Sequence, residues 1–133
     1  MKAVVKTAKG PGHVEYVDVD NPVIGEGEVL LEVAACGICG TDLHVRNDRF
    51  RNFPPVILGH EFVGRVVEEG SAVRGSTDPG ARYAVLGATA VTCGTCEYCK
   101  GGGFMFCPAG RRMGHGVNRA FEPFANARTA QLF

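Results

Sequence analysis

Apolar and polar positions change over short spans along this chain and are cut repeatedly by glycine and proline, a pattern that predicts strands joined by tight turns. Residues 2–7 read as a first strand, and Gly10-Pro11-Gly12 as the turn that follows. Residues 13–19 alternate apolar and polar, which marks a half-buried strand ended by Asp20-Asn21-Pro22. Beyond the Gly25-Glu26-Gly27 turn, residues 29–35 are apolar except for Glu32 and read as a buried strand, which the glycines at 37 and 40 break. Thr41 to Asn47 fits a short helix capped by Thr41. Arg46 to Phe53 is polar and basic, an exposed loop in which Arg46, Arg49 and Arg51 are solvated; a phosphate-bearing substrate is the competing reading of that charge. Pro54-Pro55 stiffens the approach to Val56-Ile57-Leu58. A strand follows Gly59 and stops at Gly70, residues 71–81 form a small-residue loop, residues 82–86 a strand, residues 93–116 an irregular segment, and residues 120–133 a last strand. The whole is mostly β, with turn signals at barrel-like spacing.

A length of 133 residues, 45% of them hydrophobic, fits one globular domain with a real core. Fourteen basic residues balance fourteen acidic ones, so no electrostatic footprint for nucleic acid or an anionic membrane is present. No apolar run reaches the length of a membrane span, and Met1-Lys2-Ala3-Val4-Val5-Lys6 is interrupted by charge too early for a secretory signal. Without such a signal the six cysteines point to a reducing cytoplasm and thiolate ligands, not to disulfides.

Those cysteines fall in two places. Cys36-Gly37-Ile38-Cys39-Gly40-Thr41-Asp42-Leu43-His44 gathers two thiols, a hydroxyl, a carboxylate and an imidazole, with a second imidazole nearby in Gly59-His60-Glu61. Thiolate and imidazole are zinc ligands. A thioredoxin-like C-x-x-C pair and two ordinary buried cysteines are the competing readings. Cys93, Cys96, Cys99 and Cys107 form C-x-x-C-x-x-C-x7-C, a donor set for one tetrahedral structural zinc. An iron–sulfur cluster or two disulfides compete, but the third gap differs from ferredoxin spacings. The lobe has too few aliphatic side chains to pack alone, so metal binding must supply its folding energy.

Together, Cys36–His44, Gly59-His60-Glu61 and the four-cysteine lobe resemble the zinc-dependent alcohol and polyol dehydrogenases of the medium-chain dehydrogenase/reductase family. The resemblance implies a mainly β, GroES-like β-barrel catalytic domain over residues 1–133, with short helices and a structural-zinc lobe at about 93–107. It implies that Cys39 and His60 ligate a catalytic zinc, with Glu61 able to reach the metal. It also implies that Asp42 orients the ligands, that Thr41 takes the proton of a bound alcohol, and that His44 passes it outward. The bland alternatives are a helix cap for Thr41 (both roles are expected), a solvated surface histidine for His44 and a turn residue for Asp42. Cys36 is expected to be a small buried residue.

The implied chemistry is oxidation of a small alcohol or polyol with NAD or NADP by a cytoplasmic, homo-oligomeric protein that binds neither nucleic acid nor membrane. The family's Rossmann cofactor domain is absent from these residues, since Gly25-x-Gly27 lacks a third glycine and precedes a strand. The domain alone is therefore expected to be inactive. A stand-alone zinc-stabilised binding module is the alternative from another class; a zinc-independent quinone-reductase-like relative is opposed by the intact Cys39, His60 and cysteine set. Two stretches depart from the family pattern: Gly80-Ala81-Arg82-Tyr83, and Arg119-Ala120-Phe121-Glu122-Pro123-Phe124.

Overall fold

A computed structural model describes residues 1–78, 80–86, 92–111, 113–118 and 120–133. The elements are β1 (Lys2–Lys6), β2 (Val14–Asp18), β3 (Glu28–Gly37), α1 (Gly40–Arg46), β4 (Val56–Ile57), β5 (Glu61–Glu69), β6 (Arg82–Leu86), α2 (Glu97–Lys100) and β7 (Phe124–Arg128). Among the described residues all ladders are antiparallel and form two sheets, ordered β2-β1-β4 and β6-β5-β3-β7. The protein is therefore mainly β. Among the described residues no helix is long and apolar enough to cross a membrane.

The main core lies against the larger sheet and contains Val29, Leu31, Phe62, Val85, Met113, Ala125 and Ala127. The expectation that residues 29–35 are buried throughout is corrected here: Val29 and Leu31 are buried, Glu32, Ala34 and Ala35 are exposed. The strand packs by one face only, and the pleat sends alternate side chains outward. The strand does end in a turn at Gly37 and Gly40, as expected. Gly37 closes β3 and Gly40 opens α1, with Ile38-Cys39 making the turn between them.

Around the stretches that depart from the family pattern, the described residues keep their strands. Tyr83 lies in β6, packs against the main core, and its hydroxyl accepts a bond from the Asp78 N–H at 2.7 Å. Ala120 is buried in the same core, and Phe121 joins the sheets through Val4 N–H to Phe121 carbonyl (2.9 Å) and Phe121 N–H to Leu58 carbonyl (3.0 Å). Arg119 falls outside the described residues.

The loop after α1 is less solvated than its composition suggests. Asn52 is fully buried, and its amide donates to Asp48 Oδ1 and to the Phe50 carbonyl, both at 2.8 Å. One cation organises the region. Lys6 is completely buried at the end of β1, and its Nζ donates to the carbonyls of Gly10, Gly12 (2.6 Å) and Arg46 (3.3 Å). The last of these is at the C-terminus of α1, where a cation meets the negative end of the helix dipole. The ammonium thus ties β1, the glycine turn and α1 together.

Candidate metal centre

Antiparallel pairing of β3 with β5 sets Gly37 opposite Glu61 and Cys36 opposite Phe62. The end of one strand and the start of the other therefore meet, and two motifs distant in sequence become one cluster. Ligand atoms of Cys39, His60 and Glu61 all lie within 4.8 Å of one another. His60 is half-buried and Glu61 exposed, so the cluster opens to solvent on one side.

Asp42 links the two motifs. Its carboxylate is buried; Oδ2 accepts from the Cys39 N–H at 2.9 Å and Oδ1 lies 3.5 Å from His60 Nδ1. At that distance Oδ1 and Nδ1 form an ion-pair contact without a well-formed hydrogen bond. Burial opposes ionisation, but the imidazole and the Cys39 and Gly59 N–H groups hold the Asp42 carboxyl below its usual range. In return Asp42 raises His60 to about 9, against the cost of burial. Cys39 is lowered, chiefly by the Thr41 N–H, then by the Thr41 hydroxyl and by His60. Burial pushes the Cys36 thiol up to about 11. Cys36 is half-buried against the core, less enclosed than expected, because β3 is already curling out toward the cluster there.

This donor set fits zinc. One ring nitrogen of His60 faces a carboxylate, which leaves the other available to a metal in the orientation that carboxylate–histidine–metal sites use. A thiolate and a carboxylate stand beside it, and the thiol is already biased toward its charged, ligating form.

Thr41 does not cap α1, contrary to expectation. Cys39 is the N-cap residue, and the Asp42 carboxylate satisfies its N–H. Thr41 sits inside the first turn with its hydroxyl 3.7 Å from Cys39 Sγ. His44 is exposed one turn further on, so the two lie on one helix face. No direct hydrogen bond between them occurs among the described residues.

Gly59 shapes the approach to His60. Its φ is +89°, and a Cβ there would meet Phe121 Cδ1 at 2.8 Å and Cys36 Sγ at 2.9 Å. On its other side Gly114 comes so close that a Cβ on it would lie 2.7 Å from the Gly59 carbonyl oxygen. Gly59→Ala should cost on the order of 1–3 kcal/mol from the left-handed backbone alone. The thermal melt of the zinc-loaded protein checks this, and an unchanged midpoint would refute it.

The second cluster lies in the cysteine lobe. Cys93, Cys96, Cys99 and Cys107 also keep their sulfurs within 4.8 Å of one another. Cys93 Sγ accepts from the Cys96 N–H at 3.3 Å, and Cys107 Sγ accepts from the Cys93 N–H at 3.4 Å. Thr95 and the Cys96 N–H lower Cys93 to about 5, whereas burial raises Cys99 to about 11. Four sulfurs converging without a disulfide are the donor set of a closed zinc site. Of the segment expected to be irregular, 97–100 forms α2 and 104–106 a 3₁₀ turn.

Sequence reasoning missed two features: Lys6, which reads as an ordinary polar strand residue, and the double attachment of Asp42, which depends on strand pairing.

Comparison with known proteins places these features. Residues 25–133 match the alcohol dehydrogenase GroES-like domain. L-threonine 3-dehydrogenase of Streptomyces avermitilis is 40% identical over 137 aligned positions, covering 100% of this chain and 39% of that protein. D-arabitol-phosphate dehydrogenase of Enterococcus avium is 36% identical, covering 99% of this chain and 37% of its own length. Among solved structures, a Sinorhizobium meliloti protein described as a zinc-binding dehydrogenase and bound to NADP superposes with a TM-score of 0.88. It is 39% identical, with 99% of this chain and 37% of that one covered. The chain thus spans about two fifths of the length of the curated relatives it matches.

Proposed function

The chain belongs to the alcohol dehydrogenase GroES-like domain family, and from that premise we propose that it is the zinc-bearing catalytic part of an oxidoreductase that converts a small alcohol or polyol to a ketone or aldehyde with NAD or NADP. The observation that carries this reading is the convergence of Cys39, His60 and Glu61 within 4.8 Å, with Asp42 attached to both motifs. We read residues 1–133 as one GroES-like domain in which the two sheets curl into a barrel. The bonds through Phe121 and the bridge of Val85 to Leu132 support that closure.

Cys39, His60 and Glu61 hold the catalytic metal; Cys93, Cys96, Cys99 and Cys107 hold a structural one. Zinc, when bound, supplies Lewis acidity that makes an alcohol's hydroxyl proton easier to lose. Asp42 fixes the imidazole and, through the Cys39 N–H, the thiolate. The Thr41 hydroxyl, beside the sulfur, takes the departing proton, and His44 on the same helix face passes it to solvent. The hydride acceptor belongs to a cofactor domain of the kind the longer relatives have room for. Assembly of that protein as a homo-oligomer belongs to the same reading.

Metal release tests the two-site assignment. The three-ligand cluster is open, whereas the four-thiolate set is closed, so the first should bind zinc less tightly. A chelator titration should remove two zinc equivalents in two phases, the second coinciding with loss of the lobe's structure. Release in one phase, or a single equivalent held by the cysteines alone, would point instead to a zinc-stabilised binding module.

A further inference from the structure

Building on that reading, we infer that Lys6 is a positioning residue for the reaction: its buried ammonium sets the orientation of α1 and so places the Thr41 hydroxyl and the His44 imidazole against the Cys39–His60–Glu61 cluster. α1 has seven residues. Isolated helices shorter than roughly 12–15 residues are marginal in water, so the pose of α1 is set by what grips its two ends. At the cluster end Asp42 holds the Cys39 N–H and faces His60. At the far end the grip is Lys6, through the Arg46 carbonyl at 3.3 Å. Thr41 and His44 lie between the two grips.

Lys6 also reaches the other motif. Its backbone pairs with Val56 of β4, and the neighbouring pair of Val5 with Ile57 continues the ladder toward Leu58, whose N–H donates to the Val4 carbonyl at 3.0 Å. Gly59 and His60 come next in the chain. One residue therefore joins the strand that leads to His60, by its backbone, to the helix that starts beyond Cys39, by its side chain. The ammonium has three protons, and the carbonyls of Gly10, Gly12 and Arg46 take them. Gly10 and Gly12 stand in the left-handed region, at φ +96° and +77°, and the turn they make brings both carbonyls onto the ammonium. Gly12 closes the bracket, since its own N–H donates to the Arg46 carbonyl at 2.8 Å. Among the described residues Lys6 forms no ion pair. An apolar side chain of similar volume would fill the space without the cost of burying a charge, so what the cation adds is direction. Val45 packs nearby against Val56 and Leu58, but apolar contact is non-directional. Three acceptors around one ammonium fix where the Arg46 end of α1 lies.

Lys6→Met in the zinc-loaded, full-length protein tests this, assayed with sorbitol or L-threonine, whichever the parent oxidises, and NAD or NADP. kcat per zinc-loaded molecule should fall by about 10- to 100-fold, the effect of a displacement of about an ångström. KM and zinc content should change little. The solvent deuterium isotope effect on kcat should rise, because a misplaced hydroxyl slows proton transfer; a merely structural role would lower the yield of active protein and leave that isotope effect alone. Amide hydrogen exchange across residues 40–47 should quicken roughly tenfold or more while the amides of β3 and β5 keep their rates. If Lys6→Met does not fold, Lys6→Arg supplies the test, since a planar guanidinium keeps the charge but not the compact head with three donors, and it should lower kcat in the same way. A kcat equal to the parent's, a loss carried by KM or zinc content, an unchanged isotope effect, or unchanged exchange in α1 would each overturn the assignment and leave the dehydrogenase reading standing. A parent that reduces neither cofactor with any alcohol would count against that reading, and hydrogen exchange would then decide whether Lys6 orients α1.

Discussion

Changing Cys96 to serine should lower the melting temperature by roughly 10 °C or more, whereas Cys39→Ser should shift it by only about 3 °C. The difference follows from what each sulfur holds. In the lobe, α2 is a single turn and the exposed Cys93 has no hydrophobic shelter. Zinc bound by a complete thiolate set contributes on the order of 10 kcal/mol in small zinc modules, and a broken set forfeits much of it. The loss also propagates. Cys107 is buried, and a few residues further on Met113 is fully enclosed in the main core and the Gly114 backbone rests on Gly59. A collapsed lobe releases its tether on all three. At roughly 3 °C per kcal/mol for a domain of this size, a loss of about 3 kcal/mol is enough for the expected shift. Cys39 lies in a turn outside every core cluster, so on the proposed assignment its replacement removes a metal ligand and little packing. Equal melting losses in the two variants would refute this division between a metal that builds and a metal that reacts.

Much of this site is legible in the sequence because its ligands are chemically distinctive and sit in short runs. The Cys36–His44 and Gly59–Glu61 runs name their own residues. What the runs do not contain is the register that sets Gly37 against Glu61, a contact between segments far apart in the chain. Asp42 illustrates the limit: its place beside Cys39 suggests a supporting role, but only the folded strands show its second oxygen facing His60. The strand pattern is legible for a similar reason, since alternation and turn residues are local. Depth of burial is not, because Ala34 and Ala35 are apolar yet lie where nothing covers the sheet. Lys6 shows the opposite error. A lysine reads as surface, and only the meeting of Gly10, Gly12 and Arg46 carbonyls around it makes a buried ammonium tolerable.

Turnover should require more chain than these residues, and within the longer protein it should depend on Thr41. Hydride transfer needs the alcohol carbon and the nicotinamide ring held in contact, and that positioning supplies much of the rate. On the proposed reading the domain offers the Cys39–His60–Glu61 donor cluster and, in Thr41, a proton acceptor. Among the described residues its ladders are all antiparallel, and no strand–glycine-loop–helix unit exists to seat a dinucleotide. Beside Cys39 the apolar side chains of Ile38 and Leu43 stand open, 75% and 54% exposed, so water reaches the cluster freely. Residues 1–133 alone should therefore reduce neither NAD nor NADP with simple alcohols or polyols, and measurable reduction would show that the cofactor is held by this domain after all. In the full-length protein Thr41→Ala should lower kcat by about 10²–10⁴-fold, the usual worth of a positioned proton acceptor. KM and zinc content should change little, because the hydroxyl lies beside the Cys39 sulfur at 3.7 Å without being part of the ligand cluster. Thr41→Ser, which keeps the hydroxyl, should recover most of the rate. An alanine variant as fast as the parent would remove Thr41 from the proton path and leave the zinc ligands as the site's whole contribution.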